Sequence, residues 1–249
     1  MGRVDAALRS LRRTIGWLVA LAVIAAAALL LWAFAKGRPQ DMPWAPLDLG
    51  QPIGLFTGRK LTALTQDFPQ CQALLADAGV RYTVLPPRDG GGRCGYADGV
   101  RFAPGGARRI DFRPAGLGVA CPVAAALAKW EWDVVQPAAQ AHFGSRVVRI
   151  DHFGSYSCRR IYGRDAGNWS EHATADAVDI AGFRLANGTQ VTVVGDWGDS
   201  GAKAAFLRDV RDGACQLFAT TLSPDYNAAH RDHLHLDQAN RGAGWRACR

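Results

Sequence analysis

From Ile15 to Ala35 the chain reads IGWLVALAVIAAAALLLWAFA, about 21 residues without a charge. At about 1.5 Å per residue such a helix covers roughly 30 Å, the thickness of a bilayer's hydrocarbon layer. The run reads as a single transmembrane helix and takes these residues out of any soluble core. Arg3, Arg9, Arg12 and Arg13 precede it. Positive charge holds its side in the cytoplasm, so residues 1–14 are expected inside and everything after the 15–35 anchor outside. Ala33 and Ala35 make a small-x-small pattern of the kind found at signal cleavage sites. The apolar run exceeds the ~7–15 residues of a signal core, so an uncleaved anchor is expected; either outcome exports the rest.

Export makes the cysteines informative. All six, Cys71, Cys94, Cys121, Cys158, Cys215 and Cys248, follow the span, an even number suited to three disulfides in an oxidising compartment. Six cysteines permit 15 pairings, so spacing does not decide among them. The assignment adopted joins sequence neighbours: Cys71 with Cys94, Cys121 with Cys158, and Cys215 with Cys248. There is no Cys-x-x-Cys pair to hold zinc through thiolates.

The net charge of +7 is also a matter of position. Residues 1–38 carry Arg3, Arg9, Arg12, Arg13, Lys36 and Arg38 against Asp5, a local net charge of +5, so a net +2 remains for residues 39–249. A domain so near neutrality lacks the electrostatic footprint of a nucleic-acid binder, and that partner is excluded.

Residues 36–58 hold Pro39, Pro43, Pro46 and Pro52 without apolar periodicity and read as an extended spacer, leaving 59–249 as the exported domain. Within it, Phe68–Asp77 has a helical pattern that stops at Gly79, RYTVLPP is extended, and DGGGRCG at 89–95 reads as a loop. Pro122 opens a longer helix that Pro137 kinks or restarts, with Trp130 and Val134 on a core face. RVVRI, AVDIAGFRL and TQVTVVGDW read as strands, the last two joined at Asn187-Gly188 as a hairpin. Residues 202–218 return to helix, and HLHLD near 233 reads as a final strand. Helices flanking an antiparallel sheet make an α+β domain.

Four of the six histidines fall in two short motifs. His172 lies in a polar stretch just before the hairpin. Asp179 lies on its first strand, sharing a face with Ala177 and Ala181, small residues that leave room for a site. His233 and His235 are two apart on a strand, so both imidazoles point to one face. Two such rings facing an aspartate and a third histidine suit zinc, and three protein ligands leave a fourth position open for hydrolysis.

These residues carry a resemblance. Ser170, His172, Ala177 and Asp179 resemble the S-x-H-x-x-G-x-A-x-D motif of zinc D-Ala-D-Ala peptidases, and His233-x-His235 resembles the ending of murein endopeptidases and lysostaphin-type enzymes. The match extends to the bacterial extensin-like C-terminal domain through GSYSCR at 154–159, SEHA at 170–173, FLRDV at 206–210 and HRDHLHLD at 230–237. Two departures stand out: Ala175 replaces the motif glycine, and the Glu-x-x-His ending of the dipeptidases is absent.

The resemblance implies a zinc ion held by His172, Asp179 and His235, with His233 beside the water that the metal activates. Its substrate would be a peptidoglycan stem peptide or cross-bridge, cleaved by a single-pass inner-membrane protein whose C-terminal domain lies in the periplasm. Glu131 and Glu171 are the only glutamates. Glu171 in an extended segment would point away from His172, which leaves His233 as the expected proton acceptor. Asp232, Asp237 and His230 are expected behind the ligands as hydrogen-bonding partners. Arg159 and Arg160 follow Gly154-Ser155-Tyr156 much as an arginine follows in the SGYRS segment of the peptidases; Arg159 is assigned to the developing oxyanion and Arg160 to substrate. Tyr156, Trp169 and Trp197 are candidates to line a groove. The competing reading is a non-catalytic wall-binding or scaffold module with a structural zinc; a more distant one is a zinc esterase or amidase.

Overall fold

The structure, a computed structural model, describes residues 2–242 and 244–249, with side chains from residue 12 onward. Arg3, Asp5 and Arg9 of the expected cytoplasmic segment therefore lie outside the described side chains. Helix α1 (Gly2–Gly37) carries the apolar run. An 18-residue window within Arg12–Gly37 has a mean hydropathy of 2.7 and none of that window is buried, so α1 is long and apolar enough to cross a membrane.

The segment read as an extended spacer is instead folded onto the domain. A 3-10 turn at Pro39–Asp41 follows α1 directly, Gln40 is buried and its Nε2 donates to the Pro46 carbonyl at 3.0 Å. Leu47 and Leu49 enter the core. Their spacing of two was the legible sign of a packed extended stretch, and the prolines around them need no partner for a missing N–H.

Helices α2 (Thr57–Ala63) and α3 (Phe68–Asp77) come next, the latter capped by Asp67, which accepts from Gln70 N at 2.9 Å. Strands β1 (Val80–Val84), β2 (Arg88–Gly91), β3 (Cys94–Tyr96), β4 (Gly99–Gly106), β5 (Asp111–Arg113) and β6 (Gly118–Ala120) follow. DGGGRCG is thus mostly the β2–β3 hairpin, whose glycines at 91 and 92 take positive φ. Helix α4 (Cys121–Trp130) widens into a π-turn at Glu131–Val135 before α5 (Gln136–Phe143). Pro137 lacks the N–H for a regular turn and crowds the carbonyl four residues back, so the helix opens just ahead of it.

The remainder comprises β7 (Val147–Gly154), β8 (Ala177–Leu185), β9 (Gln190–Thr192), α6 (Val193–Asp196), α7 (Ala202–Leu217), β10 (Thr220–Leu222), β11 (Leu234–Asp237) and β12 (Ala247–Cys248). The Asn187-Gly188 hairpin forms between β8 and β9. Its second strand is shorter than expected, because Thr192 accepts from Gly195 N and Asp196 accepts from Thr192 N, starting a helix inside a β-branched run.

The main sheet has the order β12-β10-β11-β8-β7-β5, with β9 also on β8, and β1-β4-β6 form a second sheet. The fold is α+β, but the main sheet is not wholly antiparallel: β5 runs parallel to β7 and β12 parallel to β10. Parallel neighbours need a crossover, and α4 and α5 supply it between β5 and β7. Val178, Ile180, Leu234 and Leu236 point into the core, so Asp179 and His235, paired across the strands, point to the opposite face. Ala181 sits at a bulge, since Gly182 pairs with Asp151 and Ile180 with His152. The bulge shifts the side-chain phase, so Phe183 and Leu185 still reach the core.

Three disulfides form, joining Cys71 to Cys121, Cys94 to Cys158, and Cys215 to Cys248. The third agrees with the sequence assignment; the pairs Cys71–Cys94 and Cys121–Cys158 are corrected. Cys71 on α3 meets the first residue of α4, against which α3 packs, while the β2–β3 hairpin carries Cys94 away toward the loop after β7.

Candidate metal centre

His172 lies in a 3-10 turn, Glu171–Thr174, whose cap Ser170 accepts from His172 N at 3.4 Å. The turn ends at Ala175 with φ of 62°, the left-handed conformation that favours glycine. That is the position where the resembled motif carries glycine. The turn is held because both Ala120 N and Ser155 Oγ donate to the Ala175 carbonyl.

His172, Asp179 and His235 meet at the base of a cleft of about 870 Å³. Their donor atoms lie within 4.8 Å of one another, and they form a cluster that could hold a metal ion. His172 Nε2 is 3.1 Å from Asp179 Oδ2 and 3.2 Å from His235 Nδ1, and His235 Nδ1 is 2.9 Å from Asp179 Oδ1. Donors bound to one zinc at about 2.0–2.1 Å in a tetrahedron stand about 3.3 Å apart, so these spacings need little adjustment.

The outer ring atoms are already committed. His172 Nδ1 donates to the Ser155 carbonyl at 2.6 Å. His235 Nε2 donates to Asp237 Oδ2 at 3.2 Å, and Asp237 is held in turn by Ala239 N and Arg241. Each ring therefore turns its other nitrogen toward the other ring and toward the Asp179 carboxylate. Three such groups converging could share a cation, a proton or a metal ion, and a nitrogen-and-oxygen set of this kind suits zinc.

The electrostatics favour positive charge at His235 and negative charge at Asp179. Burial opposes charge on His235, but hydrogen bonds to Asp179 and Asp237 outweigh it and push its pKa up to about 9. Burial would likewise raise Asp179, yet hydrogen bonds from His172 and His235 hold it well below the usual carboxylate range.

His233 precedes β11 and, as its spacing from His235 implies, reaches the same face, with Nε2 3.5 Å from Asp179 Oδ1. Its Nδ1 donates to Asp232 at 2.9 Å, which leaves Nε2 as the free nitrogen facing the cluster. Phe153, the extra residue of a bulge in β7, packs edge-on against its ring. Burial, with His233 and His235 close by, lowers His230 to about 4. His230 is therefore neutral near pH 7, with Nδ1 on Asn227 Oδ1 at 2.8 Å.

Arg159 and Trp169 line the cleft; Tyr156, Arg160 and Trp197 do not. Tyr156 packs against Tyr96 and Arg88, Arg160 stacks on Trp169, and Trp197 is buried with its indole N–H on Asp225. Glu171 does line the cleft, against the expectation that it points away. That expectation assumed an extended segment, whereas neighbours in a 3-10 turn diverge by about 120° rather than 180°. Burial and then the charge of Asp237 raise the Glu171 carboxyl above its ordinary value. Ser155, Asn227 and Arg241 were missed. The first acts through a backbone carbonyl and leaves no mark in the sequence; the i,i+4 spacing of Asp237 and Arg241 was the only available signal.

No curated protein and no solved structure matches the chain. The family described as "Extensin-like protein C-terminus" matches residues 69–249, a span that begins in α3 and includes every residue of the cluster. The chain belongs to the extensin-like protein C-terminal family.

Proposed function

We propose that this protein is a zinc-dependent hydrolase that cleaves peptide bonds in peptidoglycan at the outer face of the membrane its N-terminal helix spans. The observation that carries the reading is the cluster of His172, Asp179 and His235, with both outer ring nitrogens tied and His233 left unligated beside it. Zinc, when bound, would supply a Lewis acid that polarises a carbonyl and acidifies water. His172, Asp179 and His235 would hold it, and Ser155 and Asp237 keep the two rings in register.

His233 Nε2 accepts a proton from the attacking water, and Asp232 stabilises the imidazolium that results. Arg159, on the cleft wall, opposes the negative charge that develops on the carbonyl oxygen. The same His233 then returns that proton to the leaving amine, which restores the neutral imidazole, and Glu171 lines the cleft beside the ligands. The cleft accommodates an extended peptide, and Trp169, Tyr226 and Trp245 give it apolar walls. The peptidoglycan substrate rests on the resemblance of the motifs to wall peptidases. Export is supported by the three disulfides.

The test is digestion of purified sacculi by the zinc-loaded chain, with mass spectrometry of the released muropeptides. Products cut at a peptide bond, abolished by a chelator and restored by zinc, are expected. A zinc-loaded chain inert on every peptidoglycan tested would favour the scaffold reading.

A further inference from the structure

The anchor and the domain are joined without slack. α1 ends at Gly37, and Gln40, three residues on, is 3 % exposed. Arg38 N donates to Phe34 O, so the helix continues to the junction, and Arg38 pairs with Asp41 at 3.6 Å. Asp41 Oδ1 accepts from Leu55 N at 2.8 Å, and Phe56 N donates to Gln40 O at 3.1 Å. Residues 38–41 and 54–56 therefore form one knot at the point where the chain leaves the helix.

Two large apolar side chains project from this knot. Leu55 is 83 % exposed and Trp44 is 78 % exposed, the latter in a short loop closed by the bond from Gln40 to Pro46. Lys36, Arg38 and Arg59, all exposed, lie in the same stretches of chain. An exposed tryptophan and leucine with basic residues nearby in the chain, a few residues from an apolar helix long enough to span a membrane, have the chemistry of a bilayer interface with anionic headgroups.

We propose that this face docks on the membrane, with Trp44 and Leu55 seated at headgroup depth and the basic residues on anionic lipid. The proposal rests on α1 spanning the bilayer and is independent of the cleft's chemistry. Docking fixes the height of the cleft, because the Arg59 side chain lies against Gly244, next to Trp245 of the cleft wall.

The test uses the full chain in vesicles of phosphatidylethanolamine and phosphatidylglycerol, with lipids brominated at shallow or at deep acyl positions. The fluorescence removed by Trp44→Phe is the Trp44 signal. It should be blue-shifted and quenched about twofold or more by shallow bromines, less by deep ones, and Leu55→Asp should weaken that quenching. The emission left in Trp44→Phe includes Trp17 and Trp32, which lie about 3–5 Å inside the two ends of the apolar run, and that helix emission should be quenched by shallow bromines. A Trp44 signal with the emission of hydrated indole, unquenched by either lipid, overturns the proposal. So does a helix signal that neither shallow nor deep bromines quench, which shows that α1 is not inserted.

Discussion

The Ser155 carbonyl takes the Nδ1 proton of His172 and thereby decides which nitrogen faces the cleft; Asp237 does the same for His235 from the other side. Removing a ligand should matter more than removing a support. His172→Ala, Asp179→Ala and His235→Ala are each expected to lose most bound zinc by metal analysis, and full occupancy in any two would refute the assignment. Asp237→Asn should retain the site but bind zinc about 10–100-fold more weakly.

The proton on His235 gives a pH signature. Its pKa in the folded, metal-free chain is raised from 6.5 to about 9. The stability this contributes is fully present below about 6.5 and is lost as pH rises through about 9. Zinc must displace that proton at pH 7, so binding should release about one proton and strengthen as pH rises toward 9. Calorimetry in buffers of different ionisation heat measures the release, and zero protons would contradict the picture.

At the scale of elements, α7 lies so close to the π-turn that a methyl on Gly213 would stand 2.3 Å from Val134 Cγ1. Gly213→Ala gains about 1 kcal/mol in helix propensity but loses about 1–3 kcal/mol to overpacking. A net loss of stability is expected in denaturant melts, relieved when Val134→Ala is added; a more stable single variant would show that the contact is looser than described. Much of this level was legible in the sequence. Pro137 marked the break in the long helix, Asn187-Gly188 the hairpin, and the spacing of His233 and His235 their common face. What was not legible came from contacts distant in sequence. Glu171 faces the cleft because its segment is a 3-10 turn pinned by Ala120 and Ser155. Strand β9 stops early because Thr192 and Asp196 cap a helix, and cysteine pairing follows how α3 and the β2–β3 hairpin pack.

For the whole molecule, three covalent links close loops with sequence separations of 50, 64 and 33 residues. Each is worth about 4 kcal/mol on the chain-entropy account, comparable with the total stability of many domains. Reduction is therefore expected to lower the unfolding midpoint sharply, and thiol titration of denatured, exported protein should find no free thiol. The bridge from Cys215 to Cys248 also holds β12 beside β10, so the cleft wall at Ala247 and Arg249 should loosen with it. The proposed function gives the apolar helix, the bridges and the cluster at the cleft base one task, hydrolysis outside a membrane with zinc held by the cluster. The most direct test of that claim is the rate of muropeptide release by His233→Ala against wild type at equal zinc content. The expected result is retained zinc with turnover lower by about 10²–10⁴-fold; an unchanged rate, or loss of the metal together with the activity, would contradict the role given to His233 and the hydrolytic reading built on it.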